Sequence, residues 1–177
     1  MRRFKILFLF ALISISSFSQ ISTIKDRINK IIQNKNAGIG VAILDLNSNE
    51  SVVINGEEHF PMQSVFKFPI VLKVLNDVDK DKITLGDSIF ISSAELKKKT
   101  WSTIQEKYPN GNVKIALSDI IYYTIALSDN IGCDVLLKNY GGTSSVNHYL
   151  KSIGIENMTI KRNEAEQHLF LQDSPSS

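Results

Sequence analysis

One stretch of this chain sets its organisation: Pro61-Met62-Gln63-Ser64-Val65-Phe66-Lys67-Phe68-Pro69, heading the apolar run Ile70, Val71, Leu72, Val74 and Leu75. The run reads as a helix, and Ser64 and Lys67, three residues apart, project from one face of it. Pro69 falls within its first turns, so the helix either kinks there or begins late. A serine hydroxyl is a poor nucleophile at neutral pH until a neighbouring base accepts its proton. A lysine one turn away is such a base if its surroundings lower its pKa, or else a cation that helps deprotonate the serine. The helix N-terminus adds partial positive charge and free N–H groups, which favour a developing oxyanion. Ser-x-x-Lys alone is a weak signal, because both residues are common. Its weight comes from what accompanies it.

The 177 residues suffice for one domain with a sizeable core, and 43% hydrophobic with 21% charged residues is ordinary globular composition. A net charge of +2 is too mild to imply a nucleic-acid partner. With Cys133 as the single cysteine, an intramolecular disulfide is excluded and a cysteine-based zinc site is not expected; no metal or cofactor is expected at all. Arg2, Arg3 and Lys5 precede an apolar run from Ile6 to Ile15, and Ser17-Phe18-Ser19 offers small residues at the cleavage positions. Residues 1–19 therefore read as a signal peptide, with Gln20 the first mature residue and the periplasm the destination. The apolar run is well short of the roughly 20 residues of a membrane span, so no stable membrane association is expected.

In the mature chain, Ile24, Ile28, Ile31 and Ile32 give the stretch from Ile21 to Asn34 the spacing of an amphipathic helix. Gly38 to Asp45 reads as a buried strand, Asn47-Ser48-Asn49 as a turn, and Ser51 to Ile54 as the returning strand of a hairpin. Charged residues Asp79 to Lys82 mark a solvated helix end. Ile83 to Ile91 reads as extended, and Ser92-Ser93-Ala94-Glu95 resembles a capping box opening Leu96 to Lys99. Ser118 or Asn112 begins the next helix, and two more helices cover Ile131 to Asn139 and Ser144 to Ile153, separated by Gly141-Gly142.

Leu127-Ser128-Asp129-Asn130 lies between two of those helices. A plain turn with an N-cap uses the same residue types. The functional reading is a second hydroxyl for proton relay, a buried carboxyl that ties the loop, and an amide that binds substrate. Ser-x-x-Lys on a helix with Ser-Asp-Asn some sixty residues on, in an exported chain, resembles the serine β-lactamases and penicillin-binding proteins. That resemblance implies an α/β (α+β) fold of an all-helical domain and an antiparallel sheet domain, occupying residues 20–168.

A third feature resembles class A β-lactamases in particular. In Arg162-Asn163-Glu164-Ala165-Glu166-Gln167-His168, Glu164 stands 34 residues beyond Asn130, the separation that family shows for its hydrolytic glutamate. Glu166 is the rival; the family's substrate- and water-positioning residue, four beyond the glutamate, is then His168 for Glu164 or Phe170 for Glu166. Histidine there, with His59-Phe60-Pro61-Met62-Gln63-Ser64-Val65, Lys99-Thr100-Trp101-Ser102 and Ser128 to Asp134, is similar to the PER and VEB branch. The resemblance implies Ser64 as nucleophile on a β-lactam carbonyl and Lys67, or Glu164 through a water, as acylation base. Ser128 protonates the leaving nitrogen, Glu164 activates the hydrolytic water, and Asn130 binds the substrate's side-chain amide. Trp101 is either an aromatic at the pocket rim or a packing residue, and Cys133 a small core residue. The implied partner is a small-molecule β-lactam, bound by a monomer.

Two features depart from the family. Its third motif, Lys-Thr/Ser-Gly on a strand, is missing, since Lys99-Thr100 is followed by Trp101. After His168, residues 169–177 no longer resemble it. The expectation is a truncated or frameshifted chain with an incomplete sheet, an apolar edge along Gly38 to Asp45, and little or no activity. Alternatives are a penicillin-binding transpeptidase or carboxypeptidase and a non-catalytic β-lactam-binding sensor domain; both share Ser64, Lys67 and Ser128 to Asn130 without Glu164.

Overall fold

The computed structural model describes residues 22–97, 99–164 and 166. Residues 1–19, expected to be a signal peptide, His168 and residues 169–177 lie outside the described residues. Two compact units divide between Pro61 and Met62.

The first unit holds a helix over 22–32 (α1) and an antiparallel hairpin of β1 (Val41–Leu44) and β2 (Ser51–Ile54). Val41 stands opposite Ile54 and Leu44 opposite Ser51. The Asp45 carboxylate accepts the Asn47 N–H at 2.8 Å, and Asn49 closes the turn with φ 57°. Burial follows the two-residue period in β2, where Val52 and Ile54 are covered and Ser51 and Val53 are open. The expected burial of β1 does not hold: Ile43 is 44% and Leu44 54% exposed. Among the described residues β1 has a strand on one side only, so its other edge lacks backbone partners from a sheet.

The second unit opens with a 3-10 turn, Gln63–Phe66, that runs into α2 (Lys67–Asp79). Helix α2 thus begins late, and Pro69 takes its third position, where a missing N–H costs no intrahelical bond. Then follow β3 (Ser88–Ile91), α3 (Ser93–Leu96), α4 (Thr103–Lys107), β4 (Val113–Ala116), α5 (Leu117–Ala126), α6 (Asn130–Asn139) and α7 (Gly142–Ser152). Helix α2 packs against α5, α6 and α7. Phe66, Ile70 and Val74 meet Ile120, Ile131, Leu136, Leu150 and Ile160 in one core, each such side chain contributing about 1.5–3 kcal/mol by leaving water.

Two expectations are corrected by the structure. The capping box is present, with Ser92 accepting the Glu95 N–H, but it opens α3 at Ser93 and the helix ends at Leu96. Neither Ser118 nor Asn112 starts α5; it begins at Leu117 because Val113–Ala116 is a strand, paired with β3 so that Ile115 faces Ile89. The helical unit therefore carries its own two-stranded ribbon. No helix among the described residues is long and apolar enough to cross a membrane.

Candidate active site

Ser64 sits on the 3-10 turn, where side chains three apart eclipse one another. Its neighbour Gln63 is held at φ 47°, a left-handed conformation that a non-glycine residue adopts only under tertiary constraint. Ser64 is exposed, while Lys67, one turn on, is 2% exposed. The lysine is a buried cation beneath an accessible hydroxyl.

Five oxygens surround Lys67 Nζ. It donates to Ser64 Oγ at 3.3 Å, Ser128 O at 2.8 Å and Ser128 Oγ at 3.2 Å, and to Asn130 Oδ1. Glu164 Oε1 pairs with it at 2.9 Å. An ammonium has three N–H groups, so these acceptors share them, and the carboxylate offsets the cost of burying the charge. Ser128 Oγ donates to Ser64 Oγ at 2.8 Å, placing a second hydroxyl against the first.

Local backbone geometry brings Ser128 there. The α5–α6 connection places Ser128 at φ 54°, which turns its carbonyl and its hydroxyl toward the same ammonium. Asp129 caps α6 by accepting the Gly132 N–H at 2.7 Å, and it is fully buried. Its carboxylate also accepts Ser102 Oγ at 2.9 Å and the Ile104 N–H at 2.8 Å. The turn-with-cap reading and the loop-tying reading of Asp129 both hold, because one carboxylate closes the helix end and pins the segment before α4.

Asn130 turns its carbonyl to Lys67 and donates from Nδ2 to Thr100 Oγ1 at 2.7 Å. Trp101 is 61% exposed; its Nε1 donates to Leu127 O at 3.2 Å, and its carbonyl accepts the Asn130 N–H. Of the two acidic candidates, Glu164 is the one at Lys67. The exposed Glu166 folds back instead: its N–H donates to Asn163 Oδ1 at 2.8 Å, and its carboxylate accepts the Asn163 N–H at 3.2 Å. That reciprocal pair is a capping-box arrangement. The Glu164 N–H donates to Asp134 Oδ1 at 2.8 Å. Cys133 is fully buried, and burial pushes its thiol pKa well up, with the nearby Glu164 and Asp134 charges acting the same way. It stays a protonated core residue.

Thr100, Ser102 and Asp134 stand in stretches similar to the PER and VEB branch, but no role for any of them was legible in the sequence. Ser102 left a trace, since Ser102-x-x-Gln105 has capping-box spacing. Asp134 lies one helical turn beyond Asn130, on the same face. Beyond that resemblance, nothing local marks Thr100.

The fold is that of the serine β-lactamase class, and in it the helical unit sets a buried lysine under an exposed serine with the 127–130 loop against both. The chain belongs to the β-lactamase enzyme family, whose model matches residues 23–175, and within it to the class A, PER/VEB-like members. It is 43% identical to β-lactamase VEB-1 of Pseudomonas aeruginosa over 86% of this chain and 50% of that protein. Extended-spectrum β-lactamase PER-1 of the same organism is 33% identical, over 89% and 52%. The crystal structure of TLA-1 extended-spectrum β-lactamase superposes with a TM-score of 0.81 at 38% identity, covering 84% of this chain and 54% of that one. A class A β-lactamase from Bacteroides cellulosilyticus superposes at 0.79, also 38% identical, over 85% and 54%. The chain thus spans about half the length of the curated relatives it matches.

Proposed function

We propose that this chain carries the acylating and deacylating residues of a class A β-lactamase, acting on β-lactam antibiotics through a Ser64 acyl-enzyme. The observation that carries the reading is Lys67 Nζ, which meets Ser64, Ser128, Asn130 and Glu164 at once. Proton transfer from Lys67 to Glu164 across 2.9 Å leaves a neutral amine 3.3 Å from Ser64 Oγ. That amine takes the serine proton as Oγ attacks the lactam carbonyl. The Ser64 backbone N–H is one oxyanion donor. Ser128, already bonded to Ser64 Oγ, delivers a proton to the departing nitrogen, and Asn130 receives the substrate's side-chain amide.

Lys67 replaces the proton that Ser128 gives to the nitrogen and then takes its own proton back from Glu164. The restored Glu164 carboxylate activates the water that cleaves the acyl-enzyme, with His168 positioning it and Trp101 at the pocket rim. A carboxylate bonded to the site lysine favours hydrolysis over the trapped acyl group of a transpeptidase or sensor. The names of PER-1 and TLA-1 carry the words extended-spectrum, which favours cephalosporins among the substrates. The catalytic domain is 20–168, exported to the periplasm by residues 1–19 and working as a monomer. No Lys-Thr-Gly or Lys-Ser-Gly occurs in the sequence, so turnover of nitrocefin by these residues alone is expected to be weak.

The test is intact-protein mass spectrometry of the chain mixed with excess penicillin. An adduct that disappears in Ser64→Ala and outlives its wild-type counterpart in Glu164→Gln is the expected result. An adduct retained in Ser64→Ala, or none on a chain with native circular dichroism, overturns the reading.

A further inference from the structure

Glu164 follows an irregular stretch. From Glu156 to Asn163 the chain forms neither helix nor strand, yet it must hold a carboxylate at 2.9 Å from a lysine 97 positions earlier in the sequence. Irregular backbone leaves peptide groups without ladder partners, and buried ones need partners from elsewhere. Ile160 is such a residue, 2% exposed and part of the core.

Both of its peptide groups are met by a single side chain. Asn147, on α7, donates from Nδ2 to Ile160 O at 2.8 Å and accepts the Ile160 N–H on Oδ1 at 2.8 Å. The carboxamide thus imitates a neighbouring strand over one residue. Helix α7 packs on α2, and α2 begins with Lys67. A short rigid path therefore runs from the lysine through two packed helices to Asn147, then to Ile160, four residues before the glutamate. Asp134 of α6 fixes the far end through the Glu164 N–H.

We propose that Asn147 is a positioning residue for deacylation: its two-bond clamp on Ile160 sets the register of the segment that delivers Glu164 to the site. This inference rests on the acyl-enzyme reading above. It predicts an asymmetric effect. Ser64, Lys67 and Ser128 are held by α2 and the 127–130 loop, and an ammonium on a flexible stem still reaches a carboxylate that has moved. The Lys67–Glu164 proton transfer, and acylation with it, therefore suffers less than deacylation when the clamp is lost. Water activation depends on where the Glu164 carboxylate stands, and misplacement by about 1 Å costs on the order of a hundredfold.

The experiment compares the wild-type chain with Asn147→Leu, which removes both bonds, and Asn147→Asp, which keeps the acceptor for the Ile160 N–H and loses the donor. Penicillin adduct formation and decay are followed by quenched mixing and intact mass. Amide hydrogen exchange over 158–164 is read without ligand. The expected result for Asn147→Leu is adduct decay slowed about ten- to hundredfold, formation within about threefold of wild type, and faster exchange at Ile160 and Glu164. Asn147→Asp lies between, and it carries the test if the leucine variant loses its native circular dichroism.

Unchanged decay, or formation and decay slowed equally, overturns the positioning role. Unchanged exchange overturns the clamp itself, whatever the chemistry does. A wild-type chain that forms no Ser64 adduct removes the acyl-enzyme reading and the deacylation role with it, and the exchange result then reports separately on whether the clamp exists.

Discussion

At the residue scale, the centre of the site is one ammonium with too many acceptors. Lys67 sits 2% exposed among five oxygens, one of them a carboxylate oxygen. Lys67→Met removes the proton carrier and leaves the Glu164 carboxylate facing a thioether. Adduct formation with penicillin, timed by quenched mixing, is expected to slow by about 10²–10⁴-fold, the usual range for losing a general base. A rate within about threefold of wild type would mean that the proton leaves Ser64 by another route. The motif residues Ser64, Lys67, Ser128 and Asn130 were legible as residues of interest, because two short patterns in one chain narrow the choice. The decision between Glu164 and Glu166 rested on resemblance, since two glutamates two apart are alike in composition and exposure pattern. In space they differ: Glu164 reaches Lys67, while Glu166 closes a local cap with Asn163. The role of Thr100 was not legible, because its bond to Asn130 joins residues 30 apart.

At the scale of elements, Asp129 joins two helices by accepting from Ser102, Ile104 and Gly132. Asp129→Asn keeps the shape but turns an amide nitrogen toward donors. Unfolding free energy from urea titration is expected to drop by about 1–3 kcal/mol, the cost of leaving a buried donor unmet. A loss within about 0.5 kcal/mol would show that the loop is held by its other bonds. Helix α2 illustrates how far local rules reach. Pro69 left two possibilities, a kink or a late start, and the structure takes the second because the 3-10 turn before it absorbs the apolar head of the run. Strand β4 escaped notice although Val113-Lys-Ile-Ala116 alternates. Four residues are too few for a two-residue period to outweigh the helix that follows at once. Gly132 was read simply as part of a helix; a Cβ there would stand 2.6 Å from Thr124 Oγ1, so it sets how closely α5 and α6 approach.

At the scale of the whole molecule, stability should depend on acid. Burial pushes the Glu95 carboxyl up, but the Lys138 ammonium and the Ser92 N–H and hydroxyl outweigh it and hold the pKa down, from 4.5 to about 2. Asp77 is likewise held below its usual range, its burial outweighed by Lys73 and Lys82. A carboxyl with a depressed folded-state pKa binds protons more weakly than in the unfolded chain. Its stabilisation is complete above the unfolded value and is lost as pH falls through the folded one. The urea midpoint is therefore expected to hold steady above pH 4.5 and to fall between there and about 2. Glu95→Gln should flatten part of that slope, and an unaltered slope would remove Glu95 from the account. The sequence by itself determined the periodic helices, the β1–β2 hairpin, the Ser92 cap and the residues of the two motifs, because each is written within a turn or two of chain. Tertiary structure alone decided which carboxylate meets Lys67, that β1 lies open, and that Asp134 and Asn147 grip the Glu164 segment. Those outcomes join residues 13 to 97 positions apart. Packing selects such pairs, and no local pattern encodes them.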